Sequence, residues 1–174
     1  MHWILNDKSG KSIVIEQTKL GLQVYSDSIG TLANDPIYCE QIHNLYDYMP
    51  YNPEIFENSE LPGNFSSSCR FLRAALLSKS ITKASNESEG IRDTFKVLEN
   101  ISSKDEVLLY HEAPYFPNCY TLYRTAMCAN SGNYYVMTYG NNQIDKFNLF
   151  HENFNGKNPV EYDLSETQAF HIRN

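Results

Sequence analysis

Leu61-Pro62-Gly63-Asn64-Phe65-Ser66-Ser67-Ser68-Cys69-Arg70-Phe71-Leu72-Arg73-Ala74-Ala75 is the stretch on which the reading of this chain turns. Leu61-Pro62-Gly63 has the composition of a turn. Asn64 or Ser66 then places a side-chain oxygen where the free amides of a helix begin. The spacing predicts that helix over Ser67–Ser80, with Phe71, Leu72, Ala75 and Leu76 forming its apolar stripe.

Working upstream, Pro36 suits a first helical turn and disfavours helix at Asp35. A helix is expected over Ile37–Tyr48, with Tyr38, Ile42, Leu45 and Met49 on one face and Pro50 and Pro53 ending it. Before it, Trp3 and Leu5 alternate along one strand and Lys8-Ser9-Gly10-Lys11 makes a turn. Ser12–Glu16, rich in β-branched residues, suits a buried pleated surface, and Leu20–Tyr25 reads as a third strand. Downstream, a helix opens near Asn86 with Glu89 at capping-box spacing and runs through Ile91, Phe95 and Leu98. Strands then return at Tyr120–Cys128 and Tyr134–Tyr139, flanking an Asn130-Ser131-Gly132-Asn133 hairpin turn, and at Ile144–Phe150. The tail after Phe154 reads as loop. Strands, helices, strands with short connections give one α+β domain over residues 1–174, its antiparallel strands layered with helices.

The 174 residues suit one domain, and 41% hydrophobic content is enough for a packed core. A net charge of −7 argues against a nucleic-acid partner. No apolar run is long enough for a membrane span. Met1–Asp7 has no basic region and no long apolar stretch, so a signal peptide is not expected there and cytoplasm is the expected location. Cys39, Cys69, Cys119 and Cys128 form no CxxC pair, and no histidine pair has zinc-ligand spacing. Four reduced thiols, mostly buried, and no metal or other cofactor are the expectation. The Asn-x-Ser sequons at Asn64, Asn86 and Asn100 arise readily in a chain rich in Ser and Asn.

Several strings resemble the choloylglycine hydrolase family of bile-salt hydrolases and penicillin V acylases. His2-Trp3-Ile4-Leu5 through Ile13-Val14-Ile15-Glu16 is similar to a strand pair in the middle of that family. Ala33-Asn34-Asp35-Pro36 with Gln41-Ile42-His43-Asn44-Leu45 resembles its Thr-Asn-x-Pro stretch and next helix. The opening string resembles its Leu-Pro-Gly-Asp-x-Ser-Ser-x-Ser-Arg-Phe-x-Arg-Ala. Tyr134–Tyr139 resembles its last aromatic strands. The resemblance runs in order along nearly the whole chain and covers about the C-terminal half of a family member.

It implies an αββα N-terminal-nucleophile hydrolase fold, two antiparallel sheets with helices outside, and hydrolysis of a linear amide in a small N-acyl substrate. The nucleophile it implies is an N-terminal cysteine whose own α-amino group is the base. That cysteine has no counterpart here, so the resemblance implies a truncated chain, inactive alone, whose partner is the missing N-terminal half. A non-catalytic remnant or ligand-binding module of the same fold is the alternative. By the resemblance, Asn34 falls on the oxyanion-hole asparagine and Arg70 on the arginine bordering the cysteine. Read alone, Asn34 before Asp-Pro is turn chemistry and Arg70 a solvated helix charge. Cys69, beside Arg70 near a helix start, and Cys39, one helical turn from His43, are weaker candidates, because neither has a free α-amine. The stretch between Asn34 and Arg70 is shorter than in bile-salt hydrolases and lacks a lobe that in the family helps hold tetramers. A homo-oligomer therefore remains only an expectation.

Overall fold

The computed structural model describes residues 1–27, 29–49, 61–103 and 120–173. They fall into two compact units, Met1–Thr82 and Lys83–Asn174. The α+β reading holds: each unit contains a three-stranded antiparallel sheet, and three α-helices lie between the sheets in sequence. Among the described residues no helix is long and apolar enough to cross a membrane. Pro50, Pro53 and Cys119 lie outside the described residues.

In the first unit, β1 (His2–Asn6), β2 (Ser12–Thr18) and β3 (Gly21–Asp27) form a meander in the order β1-β2-β3. The register pairs Trp3 with Ile15, Leu5 with Ile13, and Ile15 with Val24. Period-two alternation therefore sorts the side chains into two unlike faces. One carries Ser12, Val14, Glu16 and Asp27, all buried. The other carries Trp3, Leu5, Ile13, Leu22 and Val24, which are 38% to 61% exposed. The β-branched run was expected to be buried; only Val14 is fully so, because Ile13 and Ile15 point to the opposite face.

The buried face receives α1 (Tyr38–Tyr48). Ile37, at the N-cap position, makes no side-chain cap. The cap comes from the sheet instead: Glu16 Oε1 accepts the Tyr38 backbone N–H at 2.9 Å and lies 2.8 Å from His2 Nδ1. A carboxylate at the positive end of a helix is favoured by the exposed amides and by the helix dipole. Tyr38 OH donates to Asp27 Oδ1 at 2.7 Å and Ser12 Oγ donates to Asp27 Oδ2 at 3.1 Å. Burial, with the neighbouring Asp27 carboxylate, pushes the Tyr38 phenol above its ordinary range.

α2 (Ser67–Ser80) packs on α1. Leu45, Phe71, Leu72, Ala75 and Leu76 form the core, flanked by Ile29, Ala33, Ile42, Tyr48 and Met49. The expected stripes of both helices are thus present, but α1 also buries Gln41. Ser66 is the α2 cap, accepting the Cys69 N–H at 3.3 Å, while Asn64 Oδ1 accepts the Ser66 N–H.

In the second unit, α3 (Glu87–Ile101) is capped by Asn86 Oδ1, which accepts the Glu89 N–H. Glu89 reaches back to the N–H and hydroxyl of Ser85 rather than to Asn86 itself. β4 (Tyr123–Cys128), β5 (Asn133–Thr138) and β6 (Asp145–Asn148) form the second sheet. β4 starts three residues later than expected, because the Thr121 N–H donates to Ser103 O and Thr121 Oγ1 accepts the Ser103 N–H. β6 is shorter than expected because Asn148 Oδ1 accepts the Phe150 N–H and starts a 3₁₀ turn, Leu149–His151. The β4–β5 turn places Gly132 at φ +70°, where its N–H donates to Cys128 O and a Cβ would strike the Phe150 ring.

Glu87, in the first turn of α3, ties the helix to the sheet. Its Oε1 accepts from Asn133 Nδ2 (2.7 Å), Tyr135 OH (2.7 Å) and Ser131 Oγ (3.0 Å). These bonds, Asn133 first, lower its pKa from 4.5 to about 2. A carboxylate lowered in this way contributes stability fully above its unfolded value and loses it as pH falls through the folded one. Stability is therefore expected to drop between about pH 4.5 and pH 2. Glu87→Gln should remove that part of the slope in melts recorded across this range. An unchanged slope in the variant would refute the role given to Glu87.

Candidate functional site

The residues singled out by the sequence both lie in the first unit. Asn34 does not stand at the end of a strand. β3 stops seven positions earlier, where Asp27 Oδ1 accepts the N–H groups of Ile29 and Gly30 and turns the chain at Gly30 (φ +73°). Asn34 sits instead in a bend before the cis Asp35–Pro36 bond, with its side chain exposed.

That bend is clamped from two sides. Gln41 Nε2 donates to the carbonyls of Ala33 (2.9 Å) and Pro36, and Gln41 Oε1 accepts the Ala33 N–H at 3.0 Å. At 1% exposure, Gln41 is the most deeply buried polar side chain of α1, and these three bonds offset its desolvation. On the other side, the Asp35 N–H donates to Ser67 Oγ at 2.7 Å. Ser67 opens α2 and Arg70 follows one turn later, its N–H donating to Ser66 O. Residues three apart share a helix face, so the Asn34 bend docks on the face from which Arg70 projects.

Arg70 is half-buried, and its Nε is buried with no acceptor among the described residues. The second arginine of the motif behaves differently. Arg73, 6% exposed, donates to the carbonyls of Pro62 and Asn64 and stacks over Phe65 at 4.9 Å. Burial lowers its pKa. It fastens the Leu61-Pro62-Gly63-Asn64 turn to the helix.

The remaining candidates separate. Cys39 is exposed on α1 and Cys69 and Cys128 are half-buried, so none of the three described thiols is fully buried as expected. The helix turns Cys39 to the outer side of α1, away from Tyr38, Gln41 and Leu45. His43, considered as its base, pairs with Asp47 at 3.3 Å, four residues on. Among the described residues no group of three or more His, Cys, Asp or Glu could hold a metal ion.

The arrangement offers a neutral amide donor and a permanent cation on neighbouring segments. An amide N–H₂ stabilises a developing oxyanion without titrating, and a guanidinium favours thiolate over thiol. Sequence reasoning missed Gln41 and Glu16. The signal for Gln41 was its i, i+4 spacing with Leu45 on the apolar face; that for Glu16 was its in-phase position with Ser12 and Val14.

Residues 1–162 match the family described as linear amide C-N hydrolases, choloylglycine hydrolase family. A bile salt hydrolase/transferase of Clostridium perfringens is 32% identical over 185 residues, covering 96% of this chain and 55% of that protein. The crystal structure of a mutant conjugated bile acid hydrolase from Clostridium perfringens matches with TM-score 0.82 and 30% identity, covering 99% of this chain and 57% of that one. The penicillin V acylase of Agrobacterium tumefaciens shares the fold, with TM-score 0.71 and 23% identity over 86% of this chain and 45% of that one. The chain thus spans little more than half the length of the curated relatives it matches.

Proposed function

Because the chain belongs to the choloylglycine hydrolase family of linear amide C–N hydrolases, we propose that it supplies the oxyanion-stabilising and thiolate-stabilising side of an N-acyl amide hydrolase site. Asn34 donates its side-chain amide to the oxyanion formed when a thiolate attacks the acyl carbon. Arg70 lies beside that thiolate and holds it ionised. The cysteine belongs to sequence outside these 174 residues, since Cys39, Cys69, Cys119 and Cys128 all lie within the chain and have no free α-amino group to serve as base.

The observation that carries this reading is the Asp35–Ser67 hydrogen bond, which joins the Asn34 bend to the opening turn of the Arg70 helix. Two further features support it. The buried Arg70 Nε lacks an acceptor among the described residues, as expected if its partner lies elsewhere. The apolar face of Trp3, Leu5, Ile13, Leu22 and Val24 is the kind of surface that another polypeptide layer covers.

The 174-residue chain alone is therefore expected to show no turnover of glycine- or taurine-conjugated bile salts or of penicillin V. Release of the free amine above the buffer blank would contradict this. Loss of such turnover on Cys69→Ser or Cys39→Ser would move the nucleophile into this chain.

A further inference from the structure

A second polar–apolar surface, independent of the Asn34–Arg70 site, lies in the second unit between α3 and one face of the β4–β6 sheet. There a groove of about 600 Å³ is lined on the helix side by Ile91 and Phe95 and on the sheet side by Met137 and Ile144. Four of the chain's fourteen lysines and arginines also line it, in a chain whose net charge is −7. They are not equivalent. Arg92 and Lys96, on α3, both pair with Asp93, at 2.9 and 3.4 Å, and Glu99 sits on the same rim. The helix side is therefore neutral in sum.

Arg124 and Lys146, on the sheet side, have no carboxylate partner among the described residues. Lys146 Nζ lies 5.7 Å from the centre of the Tyr135 ring, and Tyr135 OH is fixed by its bond to Glu87. Register places Arg124 opposite Met137 on β5, and Lys146 opposite Tyr135. The two cations thus flank the central strand on one face, two residues apart along it and about 10 Å apart across it. That separation lets two long side chains converge on one anionic group above Met137 and Tyr135. The adjoining floor is apolar: Phe95 is buried, Met137 half-buried and Ile144 exposed.

We propose that this groove binds an amphipathic organic anion, its carboxylate or sulfonate held between Arg124 and Lys146 and its apolar body laid along Ile91, Phe95, Met137 and Ile144. Cations without partners beside an apolar floor select against both neutral and cationic amphiphiles of the same length.

Calorimetric titration of the full chain with octanoate, octan-1-ol and octylammonium tests this. Octanoate should bind at least about tenfold more tightly than either of the others. Arg124→Gln with Lys146→Gln should weaken octanoate binding about tenfold or more, whereas Lys157→Gln, in a separate pocket, should leave it unchanged. No octanoate binding, equal affinity for octanoate and octan-1-ol, or an unaltered affinity in the double variant would overturn the proposal. Should the double variant fail to fold, the comparison of the three amphiphiles on the unaltered chain still decides.

Discussion

Asn34→Ala is expected to lower kcat of any active assembly containing this chain about 10²–10³-fold, the loss typical of removing one oxyanion donor. KM should change little, because the bond to the oxyanion forms only as the carbonyl becomes tetrahedral. Stability should be almost unaffected, since the Asn34 side chain is exposed and the bend is held by backbone bonds to Gln41 and Ser67. That separation gives the prediction its force: a turn-forming asparagine would move the melting temperature and leave kcat nearly alone. Steady-state kinetics beside a thermal melt distinguish the two. A kcat within a factor of about three of the unaltered enzyme would remove Asn34 from the reaction centre.

Phe71→Ala is expected to destabilise the first unit by about 3–5 kcal/mol. Phe71 is 1% exposed on α2 and packs among Leu45, Leu72, Ala75 and Leu76. Deleting the ring removes apolar area from the core and leaves a cavity into which the surrounding helices collapse only partly. Because α2 also carries Arg70 and Ser67, the same change should loosen the docking of the Asn34 bend. Urea unfolding, with the midpoint and slope compared between variants, measures the first effect. A loss under about 1 kcal/mol would show that this core is not the one that holds α2.

Much of this architecture was readable in advance, for local reasons. Ser66 and Asn86 announce α2 and α3 because a side-chain oxygen before an apolar stripe satisfies free amides. The strands were readable from alternation, and the β4–β5 turn from Gly132. What could not be read is what depends on contacts across the chain. Glu16 closes a strand suited to burial, yet nothing local shows that its carboxylate caps a helix that begins 22 residues later, at Tyr38. Gln41 looks like the polar side of α1, yet it binds the Ala33 and Pro36 backbone. The ends of β4 and β6 moved because Thr121 and Asn148 bond to neighbours that local propensity does not register. For the site, residue type and the family pattern gave Asn34 and Arg70, while the Gln41 and Ser67 hydrogen bonds that hold the bend emerged only with the coordinates.

Asn34 and Arg70 are proposed to serve a cysteine carried by sequence outside these residues. The most direct test is to titrate this chain into the part of the Clostridium perfringens bile salt hydrolase that lies outside the matched stretch, and to measure hydrolysis of a glycine-conjugated bile salt. The rate is predicted to rise with added chain, to saturate at one chain per partner, and to vanish when the partner's N-terminal cysteine is replaced by alanine. A rate that is indifferent to the added chain, or that survives loss of that cysteine, would contradict the account.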